Sequence, residues 1–246
     1  MASISIIIPV YNEEEGISAI IESFRPYFKK TKLDAHLLFV NDGSRDGSLV
    51  EIEKVCQNEL NCHFISFEKN AGLSAAIKAG FDYSKTDWVG YIDADLQTSP
   101  SDFLLYEPYL DEFDLITGKR VNRKDSFVKN MSSSFANWFR DSLLHDGVSD
   151  SGCPLKIIKR DLAVSLPFFK GMHRFIPALI LMQGGKVKEI PVAHFPRKTG
   201  KSKFNLWNRL LSPFLDTLAV RWMMKRKISY RIEITDQKKH NPKVNE

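Results

Sequence analysis

The chain has 246 residues, of which 43% are hydrophobic, and a formal net charge of +5 at pH 7. This length and composition suit a single α/β unit with one sizeable core. Its three cysteines, Cys56, Cys62 and Cys153, have no metal-ligand spacing and exclude an even-numbered disulfide framework, so we expect a reducing, cytoplasmic environment. No apolar run approaches the roughly eighteen residues of a bilayer span, and the first residues are typical of a strand rather than a signal peptide.

The basic charge is concentrated in the last part of the chain. Residues 197–246 contain 13 Lys and Arg against 4 Asp and Glu, so this part carries +9 while residues 1–196 carry −4. Such asymmetry indicates an anionic surface or ligand, either a phospholipid membrane or nucleic acid. No nucleic-acid-binding fold or interleaving of aromatic and basic residues is apparent, so we expect no nucleic-acid partner.

Strands and helices alternate through the first 92 residues. The residue pattern predicts strands at 3–9, 36–41, 63–66 and 88–92, with helices at about 14–30, 46–58 and 72–83 between them. This alternation of β and α segments implies a mainly parallel, doubly wound sheet with right-handed crossovers.

The second part of the chain continues the α/β pattern. We predict a helix beginning near Pro100, strands near 115–118, 155–159 and 187–193, and helices at about 127–144 and 172–183. An apolar stripe along the helix at 127–144 favours packing in the core, with a groove facing the acceptor as the alternative. Its members are Phe127, Met131, Phe135, Trp138 and Phe139.

Two carboxylates follow the predicted buried strand at 88–92. Asp93 and Asp95 therefore stand at the carboxyl end of a strand, where ligands bind in open α/β sheets. Paired carboxylates form a hard oxygen site suited to a divalent metal that bridges a diphosphate, whereas a solvated turn is the alternative interpretation. Polar, acid-containing turns also follow the first two strands, at Asn12 and Glu13 and at Asn41 and Asp42. A purely structural turn does not require an acid at each of these places.

Five motifs occur in order: PVYNE at 9–13, VNDGS at 40–44, KNAG at 69–72, DADLQ at 93–97 and RKTGKSK at 197–203. Together they resemble glycosyltransferase family two, and most closely its polyprenyl-phosphate sugar transferases of the dolichol-phosphate mannosyltransferase type. The resemblance covers roughly residues 3–204. It implies a nucleotide-sugar transferase fold of the GT-A type, with a mainly parallel Rossmann-like sheet.

The resemblance also implies a donor site. In this family the acid after the second strand contacts the base or ribose. Of the paired acids, one contacts the ribose or diphosphate and the other coordinates Mg²⁺ or Mn²⁺. Arg120 matches a recurrent basic position, with an ordinary surface arginine as the alternative. Asp93 and Asp95 are the expected metal ligands, and the expected nucleotide-sugar-binding residues are Pro9, Tyr11, Glu13, Asp42, Asp93, Gln97 and Arg120.

The acceptor implied by the resemblance is a polyprenyl phosphate such as undecaprenyl phosphate. Its oxygen is already an anion near neutral pH, so it needs cationic positioning rather than a general base. A hydroxyl acceptor would instead need a carboxylate base, for which Asp150 is the candidate; with a lipid phosphate, Asp150 would orient hydroxyl groups. His173 and His194 are expected to be structural. The acceptor-phosphate residues are Arg197, Lys198, Ser202 and Lys203, and the expected catalytic residues are Asp95, Asp150, Arg197 and Lys203.

The segment 205–227 differs from the catalytic domain at 1–204. The stretch from Phe204 to Leu211 is expected to be helical, and a second helix is expected from the Ser212-Pro213 pair to about Lys227. One apolar face then contains Leu206, Leu210, Phe214, Leu215, Leu218 and Trp222. Apolar residues on one face and a basic end are typical of an interfacial membrane helix. Packing on the domain and binding to a separate membrane protein are the alternatives. Residues 228–246 form a polar tail.

These features predict an inverting, metal-dependent transferase that moves a sugar from a UDP- or GDP-linked donor to a polyprenyl phosphate by single displacement. We expect it on the inner face of the cell membrane as a peripheral protein, with homo-oligomers possible. Two alternatives remain open. One is transfer to a glycan or other hydroxyl with Asp150 as base, and the other is a non-catalytic nucleotide-binding membrane partner.

Overall fold

A computed structural model describes residues 1–121, 137–196 and 211–228. The helices are α1 (Ile17–Phe28), α2 (Ser48–Asn58), α3 (Leu73–Tyr83), α4 (the described helical residues 137–144), α5 (Arg160–Ser165), α6 (Ile176–Met182) and α7 (Leu211–Lys225). The strands are β1 (Ser3–Val10), β2 (Asp34–Asn41), β3 (Cys62–Ser66), β4 (Trp88–Tyr91), β5 (Leu115–Arg120), β6 (Lys156–Lys159) and β7 (Val187–Val192).

The seven strands form one sheet in the order β3-β2-β1-β4-β6-β5-β7. The pairs β1 with β2, β2 with β3, β1 with β4 and β5 with β7 are parallel, whereas β6 is antiparallel to both β4 and β5. The predicted mainly parallel α/β sheet is therefore confirmed. Its central strands are apolar on both faces, as strands covered by helices on both sides must be.

Strand β1 shows how the sheet divides the core. Ile6 and Ile8 point into an apolar cluster that includes Phe24 of α1, while Ile7 between them points into a second cluster that includes Phe81 of α3. All three isoleucines are fully buried. Because both faces of the sheet are filled, the accessible places for a ligand are the loops at the ends of its strands.

Two predicted helices are interrupted in the structure. The helix expected near Pro100 is a pair of 3-10 turns, Pro100–Leu105 and Glu107–Tyr109, because Pro108 lacks the N–H needed to continue a regular helix. The helix expected at 172–183 is a 3-10 turn, Met172–Arg174, followed by α6. Phe175 between them is not helical, and Pro177 starts α6 afresh in its first turn.

Helix α7 packs on the domain through a narrow strip. Thr217 and Val220 are buried, and Val220 belongs to the same apolar cluster as α3 and α6. The described part of this helix runs from Leu211 to Lys225 and includes Ser212 and Pro213, so the predicted start at that pair stays a prediction. Among the described residues, no helix is both long and apolar enough to cross a membrane.

The outer face of α7 is apolar and exposed. Phe214, Leu215, Leu218 and Trp222 have exposed fractions between 44% and 61%. Trp138 of α4 is also 64% exposed, so the prediction that it belongs to the core is wrong, while the ring of its neighbour Phe139 stacks on Phe214 with centroids 4.5 Å apart. Periodicity identifies an apolar stripe, but it does not determine whether a helix faces the core or solvent.

Candidate active site

One edge of the sheet collects the predicted donor residues. The carboxyl ends of β1, β2 and β4 are adjacent in the sheet, which brings together the loops that follow Val10, Asn41 and Tyr91. The reversed strand β6 begins at this same edge, where Lys156 pairs with Tyr91 of β4 and Thr117 of β5. The turn that precedes β6 is therefore brought beside the acid pair that follows β4.

The loops after β1 and β2 are joined by backbone and side-chain hydrogen bonds. The Asn12 N–H donates to Ser44 Oγ (3.0 Å), and the Arg45 N–H donates back to Asn12 Oδ1 (2.8 Å). Asn12 has a positive φ of 52°, which suits asparagine in a tight turn. Pro9, Tyr11 and Glu13 are half-buried beside this joint. A planar ligand at this edge would therefore meet side chains that are held in place but still accessible.

Asp42 is buried and holds the loop between β3 and α3. Its carboxylate accepts hydrogen bonds from Asn70 Nδ2 (2.8 Å), the Ala71 N–H (2.7 Å) and the Gly72 N–H (2.9 Å). Gly72 adopts a φ of +92°, which a side chain would strain. Asp42 thus organises the loop at 70–72 and, through it, the start of α3. This structural role was not foreseen from the sequence, and it is compatible with ligand contact nearby.

The paired acids are partly buried directly after β4. The Tyr91 hydroxyl donates to Asp93 Oδ1 (2.6 Å), and the Gln97 N–H donates to Asp95 Oδ1 (3.2 Å). Burial, and then the charge of Asp95, raise the pKa of Asp93 to about 6, while the bond from Tyr91 and the charges of Lys156 and Arg120 act in the opposite direction. The negative charges of Asp93 and Asp95 therefore repel each other unless a cation compensates them.

This arrangement fits a divalent metal ion. A cation between Asp93 and Asp95 would offset both the burial of the Asp93 charge and its repulsion by Asp95, the two causes that raise the pKa of Asp93. No group of three or more potential ligands from His, Cys, Asp and Glu occurs within 1–121, 137–196 and 211–228. Oxygens of a diphosphate and of water would suit the remaining coordination positions of such an ion.

Arg120 and Asp150 form a two-point ion pair beside the acids. Arg120 Nε and Nη2 donate to Asp150 Oδ2 and Oδ1, each at 2.8 Å, and the Arg120 N–H adds a third bond to Oδ2 (3.1 Å). Burial lowers the pKa of Arg120, but the hydrogen bonds and charge of Asp150 raise it more, so the net pKa lies above the ordinary value. Arg120 is not an ordinary surface arginine, and both Asp150 oxygens already accept hydrogen bonds.

Lys156 is a member of this site that the sequence analysis missed. It is almost fully buried, and its ammonium donates to the carbonyl oxygens of Ser151 (3.2 Å) and Cys153. Burial lowers the pKa of Lys156, although the nearby charges of Cys153, Asp150 and Asp93 favour its charged form. The available signal was a lysine inside the apolar run at 155–158. Lys156 braces the turn that carries Asp150.

The remaining predicted residues are two histidines and the acceptor-phosphate residues. His173 is half-buried and hydrogen-bonded to Ser74. Desolvation, with the charges of Arg174 and Lys156, lowers its pKa to about 3, so the ring is neutral, which agrees with a structural role. His194 is half-buried in the loop after β7. The predicted acceptor-phosphate residues Arg197, Lys198, Ser202 and Lys203 lie outside the described residues.

A family model described as Glycosyl transferase family 2 matches residues 5–174. The chain belongs to this family. This family 2 chain is 31% identical over 230 residues to a dodecaprenyl-phosphate galacturonate synthase of Rhizobium johnstonii, covering 91% of the chain and 68% of the relative. It is 32% identical over 205 residues to an undecaprenyl-phosphate 4-deoxy-4-formamido-L-arabinose transferase of Pseudomonas fluorescens, covering 82% of the chain and 60% of the relative. The predicted family is therefore confirmed.

Solved structures of similar shape support the same fold. Glucosyl-3-phosphoglycerate synthase from Mycobacterium tuberculosis, solved with Mn²⁺, UDP and glucosyl-3-phosphoglycerate, matches with a TM-score of 0.69 at 16% identity, covering 89% of this family 2 chain and 80% of the other. Mannosyl-3-phosphoglycerate synthase from Rubrobacter xylanophilus matches with a TM-score of 0.66 at 15% identity, covering 94% and 78% respectively. The predicted GT-A fold is confirmed.

Replacing Lys156 tests whether its hydrogen bonds to Ser151 and Cys153 hold the turn that carries Asp150. We expect Lys156→Met to lower kcat/KM for sugar transfer about tenfold or more, because losing one charge-assisted hydrogen bond costs on the order of 1.5 to 3 kcal/mol. The matched control is Lys159→Met on the same strand, since Lys159 is 43% exposed and 3.8 Å from Asp114. Equal kcat/KM values for the two folded variants would contradict this role.

The raised pKa of Asp93 predicts a pH dependence of the metal-free protein. The carboxyl ¹³C resonance of Asp93 should titrate near pH 6, above the ordinary 3.8, and added Mg²⁺ should lower that midpoint. Because the folded-state pKa is raised, the contribution of this group to folding stability is present below the unfolded pKa and is lost as the pH rises through about 6. Asp93→Asn should lack the resonance, and a midpoint near 4 in metal-free protein would refute the assignment.

Proposed function

We propose that this protein is an inverting glycosyltransferase that moves a sugar from a nucleotide-sugar to a polyprenyl phosphate with the help of a divalent metal. The observation that carries the proposal is the acid pair Asp93 and Asp95, beside the joined loops of β1 and β2, in a chain of this family. The names of the two curated relatives support a polyprenyl phosphate as the acceptor.

The donor nucleotide would lie against the loops after β1 and β2. Pro9, Tyr11 and Glu13 would line one side of it, and Asp42 with the loop at 70–72 would line the other. These loops are joined before any ligand arrives, so little conformational entropy is lost on binding. Offering UDP- and GDP-sugars in the activity assay distinguishes uracil from guanine as the nucleobase and identifies the sugar.

Asp93 and Asp95 would hold the metal, and Gln97 supports Asp95 through its backbone N–H. When bound, a divalent cation neutralises the charge that develops on the departing nucleoside diphosphate. The Mn²⁺ and UDP in the solved glucosyl-3-phosphoglycerate synthase support this assignment. The chain would accept Mg²⁺ or Mn²⁺, because both prefer oxygen ligands.

On the acceptor side, the geometry favours a phosphate over a hydroxyl. A hydroxyl acceptor needs a base, but the Asp150 carboxylate is paired at two points with Arg120, which stabilises its charged form against taking up a proton. A phosphate oxygen needs no proton removed. The ion pair would instead keep Arg120 oriented beside the acids, and Arg197, Lys198, Ser202 and Lys203 would bind the acceptor phosphate from the segment that follows β7. Asp150 as a general base remains the less favoured alternative.

The exposed face of α7 would rest on the membrane that contains the acceptor. Its four large apolar side chains are followed by the exposed Lys225, Arg226 and Lys227, and the Arg226 guanidinium lies 5.6 Å from the Trp222 ring centroid. Apolar side chains that enter the interface and cations that meet anionic headgroups both contribute to binding. We therefore propose peripheral attachment to an anionic lipid surface, on the cytoplasmic side.

The activity is tested by offering UDP- and GDP-sugars with Mg²⁺ or Mn²⁺ and undecaprenyl phosphate in detergent, and scoring the glycosylated lipid. We expect one donor to react, and Asp95→Ala to reduce kcat by about a hundredfold or more, because metal stabilisation of the leaving group contributes several kcal/mol. Asp82→Ala, at an exposed position on α3, is the control and should leave kcat unchanged. Full activity of Asp95→Ala, or transfer only to hydroxyl acceptors, would reject the proposal.

Membrane attachment is tested by co-sedimentation with vesicles rich in phosphatidylglycerol. We expect the pair Leu215→Glu and Leu218→Glu to reduce the partition coefficient about tenfold or more, since each buried leucine contributes on the order of 1.5 kcal/mol. The control pair is Val50→Glu and Leu60→Glu, which are also exposed but lie away from α7. If wild-type protein stays in the supernatant, or both pairs bind alike, this face does not bind lipid and a protein partner becomes the better hypothesis.

A further inference from the structure

A partly buried pair of hydrogen bonds joins two segments that are far apart in the sequence. The Ser74 hydroxyl, in the first turn of α3, lies 3.0 Å from His173 Nδ1. The Gly171 N–H donates to the same hydroxyl oxygen at 3.0 Å. The hydroxyl oxygen accepts from Gly171, and its single proton can be donated to His173 Nδ1 when the neutral ring carries its own proton on Nε2. The neutral state of His173 leaves Nδ1 able to accept that proton, so the two bonds are mutually consistent.

Ser74 lies two residues after the loop at 70–72, which is hydrogen-bonded to Asp42. The Ala71 and Gly72 N–H groups donate to Asp42, while the Gly72 carbonyl accepts from Ala75 and Ala76 at the start of α3. The short segment at 70–74 is therefore fixed at two points, by Asp42 at one end and by the segment that contains Gly171 and His173 at the other. A shift at Ser74 would be passed directly to the N–H groups that orient Asp42.

The segment at 171–175 also supports α7. A side-chain Cβ added at Gly171 would lie only 3.0 Å from Asp216 Oδ2 of α7, and Gly171 has a φ of +93° that favours glycine. Met172 and Phe175 are buried in the same apolar cluster as Val220 of α7. This segment is thus layered between the exposed C-terminal helix and the first turn of α3.

We propose that Ser74 and His173 are positioning residues for the donor nucleotide, which fix the loop at 70–72 and Asp42 against the segment on which α7 rests. The proposal depends on the proposed function, in which that loop lines the nucleotide. Neither side chain contacts the ligand in this account. Their effect is transmitted through the Asp42 hydrogen bonds, and it connects the donor side of the site with the helix at the exposed apolar face.

The test measures binding of UDP and GDP in the presence of Mn²⁺ by calorimetry. Ser74→Ala removes the hydroxyl, and His173→Phe keeps a ring but removes the acceptor atom. We expect each to raise the nucleotide Kd about fivefold or more, the scale of one lost hydrogen bond. His173→Asn, whose Oδ1 can accept from Ser74, should restore a Kd close to that of the wild type. Ser165→Ala is the control, because it removes an exposed hydroxyl on α5.

The outcomes separate this proposal from the proposed function. If the wild-type protein binds neither UDP nor GDP, the donor assignment itself is wrong. If it binds one of them and the folded Ser74→Ala variant has an unchanged Kd, the positioning role is overturned even though the donor assignment stands. A purely structural role would lower the melting temperature of Ser74→Ala and His173→Phe without changing the Kd of the folded fraction, and rescue by His173→Asn would not appear in binding.

Discussion

The whole site depends on the reversal of one strand. Because β6 runs against β4 and β5, the turn before it arrives at the edge where its neighbours end. That reversal brings Lys156 and Asp150 next to Arg120 and the acid pair. Buried charges of one sign are tolerated only when charges of the other sign lie close by. Here the cations Arg120 and Lys156 stand among three carboxylates, and these charged groups come together only when β4, β5 and β6 have paired.

Much of the fold was predictable because it is encoded locally. The run of β-branched residues in β1, and the polar turn at Asn12 that ends it, identify a central strand without knowledge of its neighbours. The same is true of the strand before Asp93. Five motifs in order then identified the family, which the matches to residues 5–174 and to the curated relatives confirm. The positions of Asp42, Asp93 and Asp95 at strand ends follow from this local pattern, whereas their roles remain predictions.

The pairings between distant residues were not predictable from one sequence. Arg120 and Asp150 meet only because β5 and β6 pair in one antiparallel register, and a single sequence does not reveal that register. For the same reason, Lys156 resembled an ordinary strand residue. The aromatic stripe around Trp138 and the amphipathic α7 were recognised by their period, but period alone does not say which side faces the core. In α7 it is Thr217 and Val220 that turn inward.

The two kinds of charge described above differ in how they respond to salt. Arg120 and Asp150 form a largely buried ion pair at 2.8 Å, where mobile ions cannot enter between them. The exposed run Lys225, Arg226 and Lys227 faces solvent, where screening reduces attraction over about 8 Å at physiological ionic strength. Under the proposed membrane attachment, raising the ionic strength would weaken the attraction of this basic run to an anionic surface while leaving the buried ion pair intact. Ionic strength would then regulate where the protein resides separately from the chemistry of its site.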